Sequence, residues 1–257
     1  MSDARRAIDV NCDLGEVPAQ IDAGIDDAIA TCVTSINIAC GGHAGDDASM
    51  SRLVEVALRA GTRIGPHPSY PDRANFGRVS VVMDASKLRA CVCEQVSRFR
   101  VICQQRGAKV AHVKPHGALY HDCRDERIAR AVAEGARDAG CGDVVMVGQA
   151  GNDVAMGVWR EMGFDVLREA FADRWYERDG TLTPRSQEGA MLASDAAAQQ
   201  AVMIARDGVA RARTGEMVNI GCETICVHGD GDDALLTARL VMDALAAGGI
   251  SVRRGRG

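Results

Sequence analysis

Apolar and polar positions alternate along this chain in two distinct periods. Short β-like runs, each closing on Gly, Asn, Asp or His, lie at 7–15, 35–42, 62–70, 110–117, 143–148, 165–173 and 223–231. Between them, apolar residues recur near every 3.6 positions, the period of an amphipathic helix. Segment 46–61 opens on Asp residues suited to capping and stops at a glycine. Segment 83–107 places Leu88, Val92, Val96, Phe99 and Cys103 on one face. Segments 125–139, 151–162, 194–207 and 231–247 behave similarly.

Seven strands alternating with helices predict an α/β fold with a parallel sheet covered on both faces. No glycine-rich dinucleotide fingerprint follows the first strand, and no Walker-type phosphate loop occurs. A run of such units over 257 residues is best accommodated as a TIM-like parallel β/α barrel. No linker or low-complexity stretch divides it, so one domain is expected over 1–252, with the basic residues 253–257 a frayed end.

Composition narrows the function. With 47% hydrophobic and 25% charged residues the chain is an ordinary globular sequence. A net charge of −5 gives no reason to propose nucleic acid as a partner. No apolar run is long enough for a bilayer, and the first ten residues lack the apolar core of a signal peptide, so a cytoplasmic protein is expected. The ten cysteines show neither a Cys-x-x-Cys pair nor a zinc spacing, which predicts reduced, mostly buried thiols.

The chemistry gathers at predicted strand ends, where a β/α barrel builds its active site. The first strand offers Asn11 and Asp13, the second Asn37 with His43 and Asp46 in the turn beyond it, and the third His67. The fourth offers Lys114 and His116, the sixth Glu169 and Asp173, and the seventh His228 and Asp230. Asp46 and Asp230 also suit simple helix caps. Three of the six histidines fall in HVKPHGALYH, 112–121. Pro115 removes a backbone donor and disfavours helix, so 112–116 is expected to be extended. His112 and His116 would then stand roughly 13 Å apart, too far to share one metal ion. Lys114 and His116 are the better site candidates, His112 supports them, and His121 falls on a turn beyond. Two loops, 65–78 and 171–190, hold much of the scarce aromatic content together with arginines, a composition suited to closing over a small anion.

Several long motifs, in order, resemble the LamB/YcsF family: NCDLGE (11–16), NIACGGHAGD (37–46), HPSYPDRANFGR (67–78), HVKPHGALY (112–120), EAFADRWY (169–176), DGTLTPRSQEGA (179–190) and ICVHGDG (225–231). Members of that family serve as the A subunit of bacterial 5-oxoprolinase. The resemblance implies a barrel of the glycoside hydrolase/deacetylase superfamily. It also implies ATP-dependent opening of 5-oxo-L-proline to L-glutamate with ADP and phosphate, with partner subunits B and C. Carried onto this sequence, the motif positions that matter are Asp13, Asn37, His43, Asp46, His67, Arg78, Lys114, His116, Glu169, Asp173, Arg174, Arg185, His228 and Asp230. Departures include Gly42, where an aromatic is usual and whose absence is expected to loosen the turn, and His121, where Asn is usual.

Asp13, His43, His67, Lys114, His116 and Glu169 are thus the expected catalytic groups. Asn11, Asn37, Asp46, Arg78, Asp173, Arg174, Arg185, His228 and Asp230 are the expected substrate contacts, with Arg78 or Arg185 clamping a carboxylate. ATP enters as co-substrate, and a divalent metal is compatible with the sequence but not required by it. A metal-dependent amide hydrolase using Asp13, His43 and His67 is the first rival. A non-catalytic module that regulates a partner is the second.

Overall fold

The computed structural model describes residues 7–252. The tail at 253–257 lies outside the described residues. In chain order the elements are β1 (Asp9–Leu14), α1 (Pro18–Asp22), α2 (Ile25–Cys32), β2 (Ser35–Ala39), α3 (Asp47–Ala60), β3 (Arg63–His67), α4 (Ala85–Gln105), β4 (His112–Val113) and α5 (Gly117–Asp122). They continue as α6 (Glu126–Asp138), β5 (Val145–Gln149), α7 (Asp153–Glu161), β6 (Val166–Phe171), α8 (Ser194–Asp207), β7 (Val209–Arg211), β8 (Met217–Asn219), β9 (Thr224–Val227) and α9 (Ala234–Ala247).

Seven strands form one parallel sheet in the order β3-β2-β1-β9-β6-β5-β4. Its two edges meet and nearly close the barrel. Ala111 donates to the carbonyl of Ile64 at 2.9 Å, and His116 to that of Pro68 at 2.8 Å. Gly65 makes this approach feasible: a Cβ there would lie 2.3 Å from the His112 carbonyl oxygen.

On β1, Val10, Cys12 and Leu14 join the apolar layer between strands and helices, whereas Asp9, Asn11 and Asp13 make polar bonds across the lumen. All six residues of β1 are buried. The two-residue period therefore divides the strand into an apolar outer face and a polar inner one. The apolar layer falls into two clusters, one centred on Ile36, Leu53 and Val241, the other on Val92, Val132 and Trp159.

The seven expected strands are present. The sequence pattern did not show α1, α2, α5 or the antiparallel β7–β8 hairpin. Helix α2 starts at Gly24 without a side-chain cap and buries only Asp26, Ile29 and Ala30, which leaves a faint apolar stripe. Helix α5 begins right after the extended His116, so His121 sits in a helical last turn rather than on a surface turn. All ten cysteines are free, seven of them buried.

Candidate active site

The strand ends open into a cavity of about 1080 Å³ lined by Asp13, Glu16, His67, Arg78, Lys114, His116, Arg174, Arg185 and His228, among others. Loop 171–190 supplies much of one wall, including Leu182, Pro184 and Gln187.

Lys114 is the centre of the floor. Its Nζ lies 2.8 Å from Asp13 Oδ1, 2.9 Å from Glu169 Oε1 and 3.2 Å from Cys226 Sγ. Burial alone would depress the ammonium, but Asp13, the Cys226 sulfur and Glu169 outweigh it and hold the pKa well above the ordinary lysine value. Burial would likewise raise Asp13, yet His67 and Lys114 hold it well below the usual carboxylate range. Tyr120 donates to Glu169 Oε2 at 2.6 Å.

A second group lies beside it. His67 Nδ1 faces the Lys114 carbonyl oxygen at 2.7 Å, and His116 Nε2 faces the Phe76 carbonyl at 3.0 Å. The other nitrogens of these rings, His67 Nε2 and His116 Nδ1, stand 3.0 Å apart. Glu16 Oε1 is 3.2 Å from His116 Nδ1 and accepts from His43 Nε2 at 2.9 Å. Burial would raise Glu16, but the imidazoles of His116 and His43 hold it below its ordinary value. His43 stacks on His116 with centroids 3.6 Å apart, and burial pushes its pKa down to about 3.

At the mouth, Asp230 bonds both Arg78 and Arg185. Arg174 differs: its guanidinium donates to the Thr183 carbonyl, its Nε has no partner, and it pairs with no carboxylate among the described residues. Only 4% of Arg174 is exposed, and burial, with Arg185 and Arg78 nearby, lowers its pKa to about 10.

The expected site residues therefore divide into two layers. Asp13, His67, Arg78, Lys114, His116, Arg174, Arg185 and His228 line the cavity. Asn11, Asn37, His43, Glu169, Asp173 and Asp230 stand behind, each bonded to a lining group: Asn11 and Glu169 to Lys114, Asn37 to Asp13, His43 to Glu16, Asp173 to His228 and Asp230 to the two arginines. His112 supports from below, its Nε2 bonding Asn37 Oδ1 at 2.7 Å.

Three expectations need correction. Asp46 does not line the cavity; it caps α3 through a reciprocal bond pair with Ser49. The metal donors that converge are Glu16, His67 and His116 rather than Asp13, His43 and His67, because His43 Nε2 is engaged by Glu16. Arg78 and Arg185 share the single carboxylate of Asp230 and keep a net positive charge at the mouth, while Arg174 has no carboxylate partner among the described residues. Gly42 does not loosen its turn, since Gln95 and Ser69 fill the space, each coming within 2.4 Å of where a Cβ would stand. Glu16 itself was missed. Its signal was its place directly after Gly15, as the last residue of the NCDLGE motif at the end of the first strand. His121 also lines the cavity.

The sequence matches the LamB/YcsF family over residues 8–256. The chain belongs to the LamB/YcsF family. A relative in the family, the 5-oxoprolinase A subunit of Bordetella parapertussis, is 41% identical over 249 residues, covering 96% of this chain and 98% of that protein. The protein of the same name from Chloroflexus aurantiacus is 42% identical over 248 residues, covering 96% and 97%. The crystal structure of the lactam utilization protein from Thermus thermophilus superposes with a TM-score of 0.88 at 34% identity, covering 97% of this chain and all of that one. No described helix is long and apolar enough to cross a membrane.

Proposed function

We propose that this chain opens the lactam of 5-oxo-L-proline in an ATP-dependent hydrolysis that yields L-glutamate, ADP and phosphate, acting as the A subunit beside subunits B and C. The names of its relatives support the substrate and the assembly. The observation that carries the chemistry is Lys114, buried between two carboxylates on the cavity floor while the unpaired Arg174 lines the same cavity.

A five-membered lactam is a poor electrophile. Transfer of the ATP γ-phosphoryl group to the carbonyl oxygen makes that oxygen a leaving group and releases ADP. Water then attacks the carbon, the C–N bond breaks as the ring nitrogen takes a proton, and a second water hydrolyses the resulting γ-glutamyl phosphate to glutamate and phosphate. Lys114 stabilises charge on the carbonyl oxygen, held rigidly at a strand end. His116 or His67 moves the proton. Asp13 and Glu169 position Lys114, and Arg174 receives the substrate carboxylate, a pairing its burial strengthens.

With no phosphate-loop motif in the sequence, nucleotide handling is assigned to the assembly. Mixing the chain with subunits B and C, ATP and 5-oxoproline is expected to yield glutamate, and leaving out any one of the three chains is expected to abolish it. ATP-coupled turnover by the chain alone would reject the shared arrangement. A metal-dependent amide hydrolase is the second reading, favoured by the convergence of Glu16, His67 and His116. It differs in predicting ATP-independent amide cleavage by the single chain.

A further inference from the structure

The imidazoles on the cavity floor are held in one tautomer each. A backbone carbonyl only accepts, so the Lys114 oxygen fixes the proton of His67 on Nδ1, and the Phe76 oxygen fixes that of His116 on Nε2. The Phe76 carbonyl is delivered by a left-handed backbone, φ 55°, unfavourable for a bulky residue. The two remaining nitrogens each present a lone pair, and they face one another at 3.0 Å. Glu16 Oε1 adds a third electron-rich atom, 3.2 Å from His116 Nδ1 and 3.9 Å from His67 Nε2. Asp13 Oδ2 adds a fourth, 3.4 Å from His67 Nε2. Such atoms repel unless a positive centre lies between them.

Charge points the same way. Asp13, Glu16 and Glu169 are buried with one ammonium, Lys114, among them. With neutral imidazoles, these four groups alone carry an excess of two negative charges, which draws a divalent cation to the floor. Buried charge left uncompensated is strongly unfavourable.

We infer that Glu16, His67 and His116 bind one divalent first-row transition cation of the zinc class, with Asp13 beside it as a further oxygen donor. Two imidazoles and a carboxylate suit such an ion, whereas magnesium and calcium take oxygen ligands. At metal–nitrogen distances of about 2.0–2.1 Å, neighbouring donor atoms stand roughly 3.0–3.4 Å apart. The pairs at 3.0 and 3.2 Å already meet that spacing, and the 3.9 Å pair has to close by a few tenths of an ångström. Backbone carbonyls on the far ring nitrogens are the outer partners that metal-bound imidazoles ordinarily have. The site lies in the cavity assigned to lactam opening; with the cation bound the two imidazoles are ligands and proton transfer falls to a carboxylate of the floor, but the binding itself does not depend on that reaction.

The test is a Co²⁺ titration of the purified, chelator-stripped full chain, read by visible d–d absorption. One equivalent is expected to saturate the band, without the thiolate charge-transfer band that binding to cysteine would give. Glu16→Gln and His116→Gln are expected to weaken binding at least tenfold at unchanged melting temperature. His67→Cys is expected to retain binding and to add the charge-transfer band, which keeps the proposal open to failure if a glutamine variant does not fold. No stoichiometric band overturns the inference, and so does unchanged affinity in the variants. A His116 ring that still carries protons on both nitrogens in saturating Zn²⁺, read by ¹⁵N NMR, shows that a proton holds the cluster together and also overturns it. Because none of these readings uses catalysis, a failed lactam assay leaves them standing.

Discussion

Asp9 and Asp13 sit four residues apart on the inner face of the same strand, and their surroundings could hardly differ more. Asp9 accepts from Thr34 Oγ1 at 2.7 Å, Ser35 Oγ at 2.8 Å, Thr224 Oγ1 at 2.6 Å and Arg63 at 3.0 Å. Three hydroxyls and one cation belonging to the protein satisfy it. Asp13 bonds Asn37 and Lys114, and it also lines the cavity beside His67. One carboxylate closes the bottom of the barrel as a finished polar plug. The other stands among mobile protons with a face open to a ligand. Burial and charge are therefore poor guides to function by themselves; what separates the two is whether the protein has used every lone pair.

The largest expected effect tests the open end. Lys114→Met leaves Asp13 and Glu169 buried without their shared cation, and it is expected to destabilise the chain by about 3–5 kcal/mol. Glutamate formation by the assembled enzyme is expected to fall at least ~10³-fold, the scale of losing a preorganised charge. Urea melts and a glutamate assay measure both, and an active, stable variant would make the upper carboxylates structural too.

At the closed end, Asp9→Asn keeps the shape but loses the ion pair and forces one hydroxyl to re-orient. Stability is expected to drop by about 2 kcal/mol, with turnover of the folded fraction unchanged. A selective loss of turnover would erase the distinction between the two ends.

Asp26 is an intermediate case. It accepts one bond, from Gly15 N at 2.8 Å, its Oδ1 has no partner, and burial pushes its pKa up to about 6. The folded chain thus keeps a proton that the unfolded chain releases near pH 4, so stability falls as pH rises from about 4 to about 6. Asp26→Asn is expected to remove that fall and to add about 1–2 kcal/mol at pH 7. Denaturant melts across this pH range decide; an unchanged pH profile would refute it. The smallest effect belongs to Asp46→Ala, expected to destabilise by about 1 kcal/mol through the lost cap of α3. Activity should not change, and a large fall in activity would return Asp46 to the site.

The barrel was legible because its strands end abruptly in polar residues and helices such as α3 and α6 begin on capping acids. Lys114 and His116 were legible because Pro115 forces an extended chain and a period of two. What stayed hidden depended on partners distant in sequence. Arg78, Arg174 and Arg185 look alike as residues, and only the fold shows that Asp230 occupies two of them. Glu16 carried no periodic signal, and its meaning arises from His43 and His116, which approach it from loops after other strands. The β7–β8 hairpin pairs three residues with three, too short for alternation to show.

Gly42 and Gln95 share one small volume. The Gln95 amide bonds Ser69 N at 3.0 Å and Ser69 O at 2.8 Å, in the space a side chain at 42 would need. A turn beside the imidazole cluster and a helix more than fifty residues later are consequently bound in a single steric trade. An aromatic ring at position 42 would fit only with less bulk at position 95. The bulk of the turn is thus set by a helix far along the chain, and a change at either position is felt at the other.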